Sequence, residues 1–416
     1  MDAHPDQAYI FCTPFLNEID RIIEDCRLHS FVQPQNFNQS KIEDFNDLLA
    51  EQKDIAVTHS TFLNATQETM DLISQGNYVL FLDEALDVVC DFNKTTIVEY
   101  DTAQRIKKGD IKFLKDSNTI RITDSCRIEW IGADSTDSKY SELERLARQG
   151  RVYLARDSVM VCVFPPEIFG MFSQVYIMTY MLEGNTIKPY FDLFGFAYQM
   201  ASVEREENGL YQICAYNPAI DAAWRREVRE LITVCDNDAI NYDRNVTLTK
   251  QWYAKNAKVP DAFKGLRGHV GYYFKKIVKA KAHEIMWTCP SEYQDKIKGA
   301  GYTSCGVITR EQRETMTPAQ LEKEKKRLSC FVPCNAKATN EYQDRGALAY
   351  CCNMYYNTAI KGLFTDNGIL FDDDQFALSC MIQWVWRSRI RVGEPIHIYV
   401  PAKRMRDLFL AWLWQD

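Results

Sequence analysis

Short apolar runs rich in β-branched and aromatic side chains recur along this sequence with longer helical patterns between them, and no other feature restricts the fold as strongly. Strands buried on both faces are apolar along their whole length, and strands alternating with helices read as a parallel α/β sheet. Tyr9-Ile10-Phe11-Cys12 reads as a first buried strand, and Pro14 to Leu28 follows with Leu16, Ile19, Ile22, Ile23 and Cys26 at helical spacing. Ile55-Ala56-Val57-Thr58 is a second strand, a helix runs through Thr69-Met70-Asp71-Leu72-Ile73, and Gln75-Gly76-Asn77 supplies a turn. Tyr78-Val79-Leu80-Phe81-Leu82 is the strongest buried-strand run in this part of the chain.

From about 95 to 163 the pattern changes to short alternating runs, such as Thr119-Ile120-Arg121-Ile122 and Arg127-Ile128-Glu129-Trp130, interrupted by a helical segment from Ser141 to Gln149. This stretch reads as a partly β insertion, after which Val175-Tyr176-Ile177-Met178-Thr179 returns to a buried strand. Residues 186–265 are mixed, with a charged helix over Ala222 to Leu231. A second α/β block begins near Leu266: a basic helix from Tyr272 to Ala282, the strand Glu284-Ile285-Met286-Trp287-Thr288, a charged helix from Pro318 to Arg327, and strands at Ser329-Cys330-Phe331-Val332 and Ala347-Leu348-Ala349-Tyr350. The last predicted helix, about Gln375 to Arg389, precedes the strand Pro395 to Val400. The expected division is 1–185 for a first domain carrying the insertion, 186–265 for a connecting segment and 266–416 for a second domain.

At 416 residues, 46% hydrophobic and 25% charged, the chain has ample material for a core and falls outside the disordered class. Lys plus Arg is 49 against 57 Asp plus Glu, a net charge of −8, so any nucleic-acid contact has to be a local basic patch rather than a global field. No apolar run reaches the roughly 18 residues of a membrane span, and Met1-Asp2-Ala3-His4-Pro5 lacks the layout of a signal peptide, so a soluble cytoplasmic protein is expected. The 14 cysteines form no CxxC pair and the 6 histidines no HExxH cluster, which points to reduced buried thiols rather than zinc or disulfides.

The most informative element is the run that continues from Leu82 into Asp83-Glu84-Ala85-Leu86. An apolar strand ending in Asp-Glu sets two carboxylates at the carboxyl edge of a parallel sheet, where open α/β folds bind ligands. In a nucleotide hydrolase the first holds Mg²⁺ and the second polarises the attacking water. An ordinary loop or helix cap produces the same pair, so it needs partners. One set lies near the C-terminus, where helical spacing puts Gln383 and Arg387 one turn apart, with Arg391 a further turn on if the helix continues. Planar guanidinium groups suit a triphosphate whose charge rises in the transition state, while a solvated basic helix end is the competing reading. Asp372-Asp373-Asp374 reads as a helix N-terminal cap. Lys264, Arg267, Lys275, Lys276, Lys279 and Lys281 form a basic patch beside Tyr272, Tyr273 and Phe274, suited either to single-stranded nucleic acid or to a plain solvated helix face.

Taken in order, these segments carry a resemblance. Tyr9 to Pro14, Val57-Thr58-His59, Leu82 to Leu86 and Met178-Thr179-Tyr180 resemble motifs Ia, Ib, II and III of superfamily 2 helicases, and Ile285 to Thr288, Asn335 to Asn340 and Gln383 to Arg391 resemble motifs IV, V and VI. The chain looks like the DEAD/DEAH-box-like helicases of bacteriophages and mobile elements. The resemblance implies two RecA-like parallel-sheet domains, ATP and Mg²⁺ as ligands, and DNA or RNA as partner. It makes Asp83 the Mg²⁺ ligand, Glu84 the hydrolytic base, and Gln383, Arg387 and Arg391 the γ-phosphate sensors of the second domain. Thr13, Pro14, Thr58 and His59 would lie along the nucleic-acid track of the first domain, Thr339 and Asn340 along that of the second, and Thr179 would couple the two activities.

One part of that pattern is absent. No GxxxxGK[ST] loop occurs in the 416 residues, although backbone amides and one lysine are what surround the phosphates in such enzymes. Too few residues precede Tyr9 for a phosphate-loop strand and helix, so the chain is expected to begin inside the fold and to be catalytically impaired as it stands. The competing expectations are a non-enzymatic nucleic-acid-binding scaffold with a helicase shell and, third, a terminase-like packaging ATPase.

Overall fold

The computed structural model describes residues 7–26, 29–36, 40–94, 105–135, 137, 139–207, 209–243, 245–309, 313, 315–334 and 341–415. It divides into two compact units, one of Met1–Ala197 with Tyr356–Asp372 and one of Tyr198–Tyr355 with Asp373–Asp416. Each is built on a four-stranded sheet whose strands are all parallel. The α/β class and the two parallel-sheet domains expected from the strand–helix alternation are therefore what the chain forms.

In the first unit, β1 (Tyr9–Thr13), β2 (Ile55–Thr58) and β3 (Val79–Asp83) join a later strand in the order β2-β1-β3-β9. β1 is buried along its whole length because helices cover both faces, which is why its sequence does not alternate. Helix Gln67–Gly76 starts with Thr66 and Thr69 in a reciprocal cap and ends on Asn77, whose left-handed φ of 50° makes the turn into β3. The expected turn residues thus divide: Gln75 and Gly76 finish the helix, and Asn77 reverses the chain. β9 (Gln174–Met178) is only partly buried, with Gln174 and Met178 exposed. It was expected as a buried strand, but among the described residues it pairs with β3 alone, whereas β2, at the other end of the sheet, gains a further bridge on its outer side, from Ile55 to Val32.

The insertion has its own hydrophobic cluster. β4 (Val89–Asp91), β7 (Val152–Ala155) and β8 (Val159–Val163) form an antiparallel sheet, and β5 (Ile120–Ile122) with β6 (Ile128–Trp130) forms a hairpin. Phe92, Ile111, Leu114, Ile128, Leu143, Leu146 and Val152 pack together between them and helices Lys108–Asp116 and Ser141–Arg148. Helix Thr358–Asp366, far along the sequence, packs on β4, β7 and β8, and Asp366 Oδ2 accepts from the Arg156 amide at 2.7 Å. That helix lies inside the range expected for the second domain.

The second unit begins with the hairpin β10 (Ala201–Arg205) and β11 (Tyr211–Ala215), followed by helix Pro218–Leu231 and β12 (Ile232–Val234). Its sheet runs β12-β15-β14-β13, from β13 (Ile285–Thr288), β14 (Ala347–Tyr350) and β15 (Ile396–Tyr399). The expected strand at 329–332 is two isolated bridges, Phe331 to Trp287 and Ser329 to Ser304, rather than a ladder. The expected basic helix at 272–282 is instead helix Lys264–Tyr272 running into a π-helical turn, Tyr273–Ile277. The C-terminal helices are Asp373–Val385 and Lys403–Leu413. All 14 cysteines are free thiols. Among the described residues no helix is long and apolar enough to cross a membrane.

Candidate functional site

β3 delivers Asp83 to the carboxyl edge of the first sheet, where β1 and β2 also end. Because parallel strands finish in step, residues far apart in sequence meet there. Thr13 closes β1 and donates its hydroxyl to Asp83 Oδ2 at 3.0 Å, although Thr13 itself is fully buried. His59, the first residue after β2, is buried and bonds through Nε2 to the Asp83 carbonyl at 2.9 Å. A carbonyl only accepts, so that nitrogen carries the hydrogen. Thr58 caps the short helix His59–Phe62 by accepting from the Thr61 amide. Three residues expected from three different motifs thus form one hydrogen-bonded group.

Burial pushes the Asp83 carboxyl above its ordinary value, opposed by the Thr13 hydroxyl. Burial wins because no cation lies within ion-pair range of Asp83 among the described residues, and the more distant charges of Glu18 and Arg21 oppose each other. Glu84 adopts a left-handed φ of 62°, uncommon for a side chain of its size, and its amide donates to the Met178 carbonyl at 3.0 Å. That bond ties the ends of β3 and β9 together and holds the strained residue in place. Thr179 follows β9 directly, and its hydroxyl accepts from Asn185 Nδ2 at 3.1 Å. Pro14 is half-buried between β1 and helix Leu16–Asp25.

In the second unit the expected common face of Gln383, Arg387 and Arg391 does not form. Helix Asp373–Val385 stops two residues before Arg387, and the chain then enters a 3₁₀ turn over Arg389–Val392. Gln383 and Arg391 are exposed, whereas Arg387 is buried at 7% exposure. The helix ends early because Ser388 turns back, donating its hydroxyl to the Val385 carbonyl at 2.7 Å. Arg389 is structural: its Nε donates to the Pro395 carbonyl at 2.5 Å, and its guanidinium covers Gly346, where a Cβ would stand 2.1 Å from it. Thr339 and Asn340 lie outside the described residues. Asp373 and Asp374 occupy the first turn of their helix, as expected of a cap.

Sequence reasoning missed Arg345. It is 2% exposed and donates to the carbonyls of Ile285 and Arg327, both at 3.1 Å, thereby joining β13 to the helix Pro318–Leu328. The local pattern Asp344-Arg345-Gly346 shows only the ion pair to Asp344 at 3.2 Å, because the carbonyls that bury the guanidinium are remote in sequence.

Mg²⁺ and a nucleotide are tested by these residues with different results. A lone half-buried carboxylate with a neighbouring Glu84 fits Mg²⁺, which takes one or two carboxylates and leaves its other positions to water or phosphate. For a triphosphate the same edge offers Asp83 and Glu84, while the 416 residues contain no GxxxxGK[ST] loop of the kind that surrounds the phosphates. Among the described residues no group of three or more His, Cys, Asp or Glu side chains is arranged to hold a metal.

This architecture is the helicase fold. A solved XPD helicase aligns with a TM-score of 0.51 at 10% identity, over 98% of this chain and 89% of that one. Residues 226–413 match the YonV C-terminal Rossmann-like domain. Over 424 residues the chain is 31% identical to the SPbeta prophage-derived uncharacterized protein YonV of Bacillus subtilis (strain 168), an alignment covering 99% of this chain and 93% of that protein. The chain belongs to the YonV family.

Proposed function

We propose that this protein is a nucleic-acid-binding member of the DEAD/DEAH-box-like helicase type, carried by a phage or mobile element, whose nucleotide site is incomplete. The observation that carries this reading is the bonded group of Thr13, His59 and Asp83. In the helicase pattern the first two belong to motifs on the nucleic-acid side and the third stands beside Mg²⁺; with Thr13 and His59 buried, their hydrogen bonds to Asp83 would couple the two sides rather than touch the strand. The two parallel-sheet units support a pair of RecA-like domains, and the prophage origin of the relative supports the mobile-element assignment.

When bound, Mg²⁺ would supply positive charge at the sheet edge. Asp83 would hold it, with the Thr13 hydroxyl fixing the carboxylate's orientation. Glu84 would stand beside it as a base, its backbone pinned to β9 by the Met178 carbonyl. Thr58, Pro14, Thr179, Thr339 and Asn340 would contact or couple to the nucleic acid, and Gln383 and Arg391, both exposed, are the residues of the last motif available to an anionic ligand. Arg387, buried, would act by positioning.

ATP turnover by the purified 416-residue chain, measured with and without single-stranded DNA or RNA, is expected to stay at background. Robust stimulated hydrolysis that Glu84→Gln abolishes would overturn the incomplete-site reading. A non-enzymatic scaffold is the second reading, favoured by the missing phosphate loop. The two differ in one result: Mg-ATP should change nucleic-acid affinity in the parent and not in Asp83→Ala if the carboxylate edge is still used, and should change neither in a scaffold.

A further inference from the structure

The basic patch at 264–281, which the sequence leaves open between a nucleic-acid grip and a solvated helix face, lies apart from the carboxylate edge, on the helix and π-helical turn that precede β13. Lys264, Arg267, Lys275 and Lys276 line a cleft of about 430 Å³ together with Gly268, Gly271, Tyr272, Gly299, Ala300 and Tyr302. All four cations are exposed, none forms an ion pair among the described residues, and no carboxylate lines the cleft. In a chain of net charge −8 such a cluster is held against the overall balance. Lys264 and Arg267 also line an adjoining cleft with Lys258 and Lys296, where the acidic residues are Asp261 and Asp295, the latter paired to Lys298 at 2.7 Å.

The floor is fixed. The buried Tyr302 hydroxyl donates to the Ile297 carbonyl at 2.7 Å, with the Arg267 carbonyl beside it at 3.2 Å. A Cβ at Gly299 would stand 2.6 Å from that hydroxyl, so only glycine lets the ring sit there. Gly301, at φ +88°, lies under the Lys275 stem, whose Cε would be 3.0 Å from an added Cβ. The π-helical turn over Tyr273–Ile277, closed by the Val278 amide on the Tyr273 carbonyl at 3.0 Å, is wider than an α-turn and rotates each residue less. Lys275 and Lys276 therefore both line the cleft, and insertions of this kind occur frequently at functional sites. Tyr272, half exposed at the rim, offers an unpartnered aromatic face.

We propose that this cleft binds the backbone of a single-stranded nucleic acid, with the pair Lys264 and Arg267 at one end and the pair Lys275 and Lys276 at the other holding its phosphates and Tyr272 stacking on a base. Lys264 to Lys275 spans about 16 Å at about 1.5 Å per residue, longer than one nucleotide's phosphates and matched to a strand. Stacking selects single strands, because only there are base faces free. The inference rests on the nucleic-acid reading given above but not on the carboxylate edge.

The test is fluorescence anisotropy of a labelled oligo-dT 20-mer with the full chain across a salt series. Lys275→Ala/Lys276→Ala is expected to weaken binding and to lower the slope of log affinity against log salt by about 1.4, from roughly 0.7 per lost contact. Tyr272→Ala should lose about fivefold to 150-fold while Tyr272→Phe holds near the parent, and Lys279→Ala, outside the cleft lining, should change little. Unchanged melting curves would confirm that the exposed substitutions leave the fold intact. If the parent binds the oligomer and the double variant binds equally with the same slope, the cleft is refuted and the nucleic-acid reading stands. If the parent does not bind, both fail. If the double variant loses heparin as strongly as oligo-dT while Tyr272→Ala changes neither, the cleft is a general polyanion or protein-docking surface and the proposal is overturned.

Discussion

Asp110 shows how a single carboxylate can serve several donors. It accepts from the Lys107 amide at 2.7 Å, from Lys139 Nζ at 2.6 Å and from the Tyr140 hydroxyl at 3.0 Å, so it both caps helix Lys108–Asp116 and joins it to the segment before Ser141. Burial alone would raise its carboxyl; Lys139, the Lys107 amide and Tyr140 outweigh that and hold it below the ordinary carboxylate value. A depressed carboxyl contributes stability that is complete above the unfolded value and lost as pH falls through the folded one. Asp110→Asn is therefore expected to lower stability by about 1 kcal/mol at neutral pH, with the difference shrinking toward pH 3. Thermal melts of both proteins across that range check it, and a constant difference would contradict the assignment. Thr13, His59 and Asp83 illustrate the complementary case: each residue was picked out by its motif, but the bonds among them depend on strand register and were invisible in the sequence.

Among elements, β13 is buried along its whole length in the second unit. Trp287 is fully buried, donates its indole N–H to the Tyr302 carbonyl at 2.7 Å and meets Phe331 edge-on at 5.0 Å between centroids. Trp287→Ala would leave a large cavity and an unpartnered carbonyl, and is expected to cost about 3–5 kcal/mol, read by urea denaturation. The same loss would loosen the Tyr302 floor of the cationic cleft. Strand runs were legible wherever both faces are buried, as at β1, β13 and β14, because an apolar run has one reading there. β9 was misread as buried because edge position is set by neighbours, not by its own residues. The early stop of helix Asp373–Val385 was equally hidden, since Gln383 through Arg391 contains no proline or glycine to mark it.

On the scale of the whole molecule, the chain leaves the second unit at Tyr356, contributes a helix to the first, and returns at Asp373. Leu363 and Phe364 of that helix are fully buried. A fragment of residues 1–197 therefore lacks part of its own unit and is expected to bind a hydrophobic dye and melt without cooperativity, whereas the full chain should show neither property. A cooperative melt of 1–197 would show that helix Thr358–Asp366 is dispensable. This exchange also explains why a linear division at 185 and 266 differs from the compact units: composition shifts mark local texture, whereas a unit is defined by what packs together.

The sequence by itself determined the α/β class, the positions of most of the parallel strands and the acidic pair at the end of β3. Each of these is local, set by side-chain type over a few residues. Only the tertiary structure decided that Thr13 and His59 bond to Asp83, that Arg387 is buried while Gln383 and Arg391 are exposed, that helix Thr358–Asp366 belongs to the first unit, and that Lys264, Arg267, Lys275 and Lys276 share one cleft. Those outcomes depend on strand register, on where a helix stops and on which remote backbone atoms need a partner. They are therefore properties of packing, which no window of neighbouring residues contains.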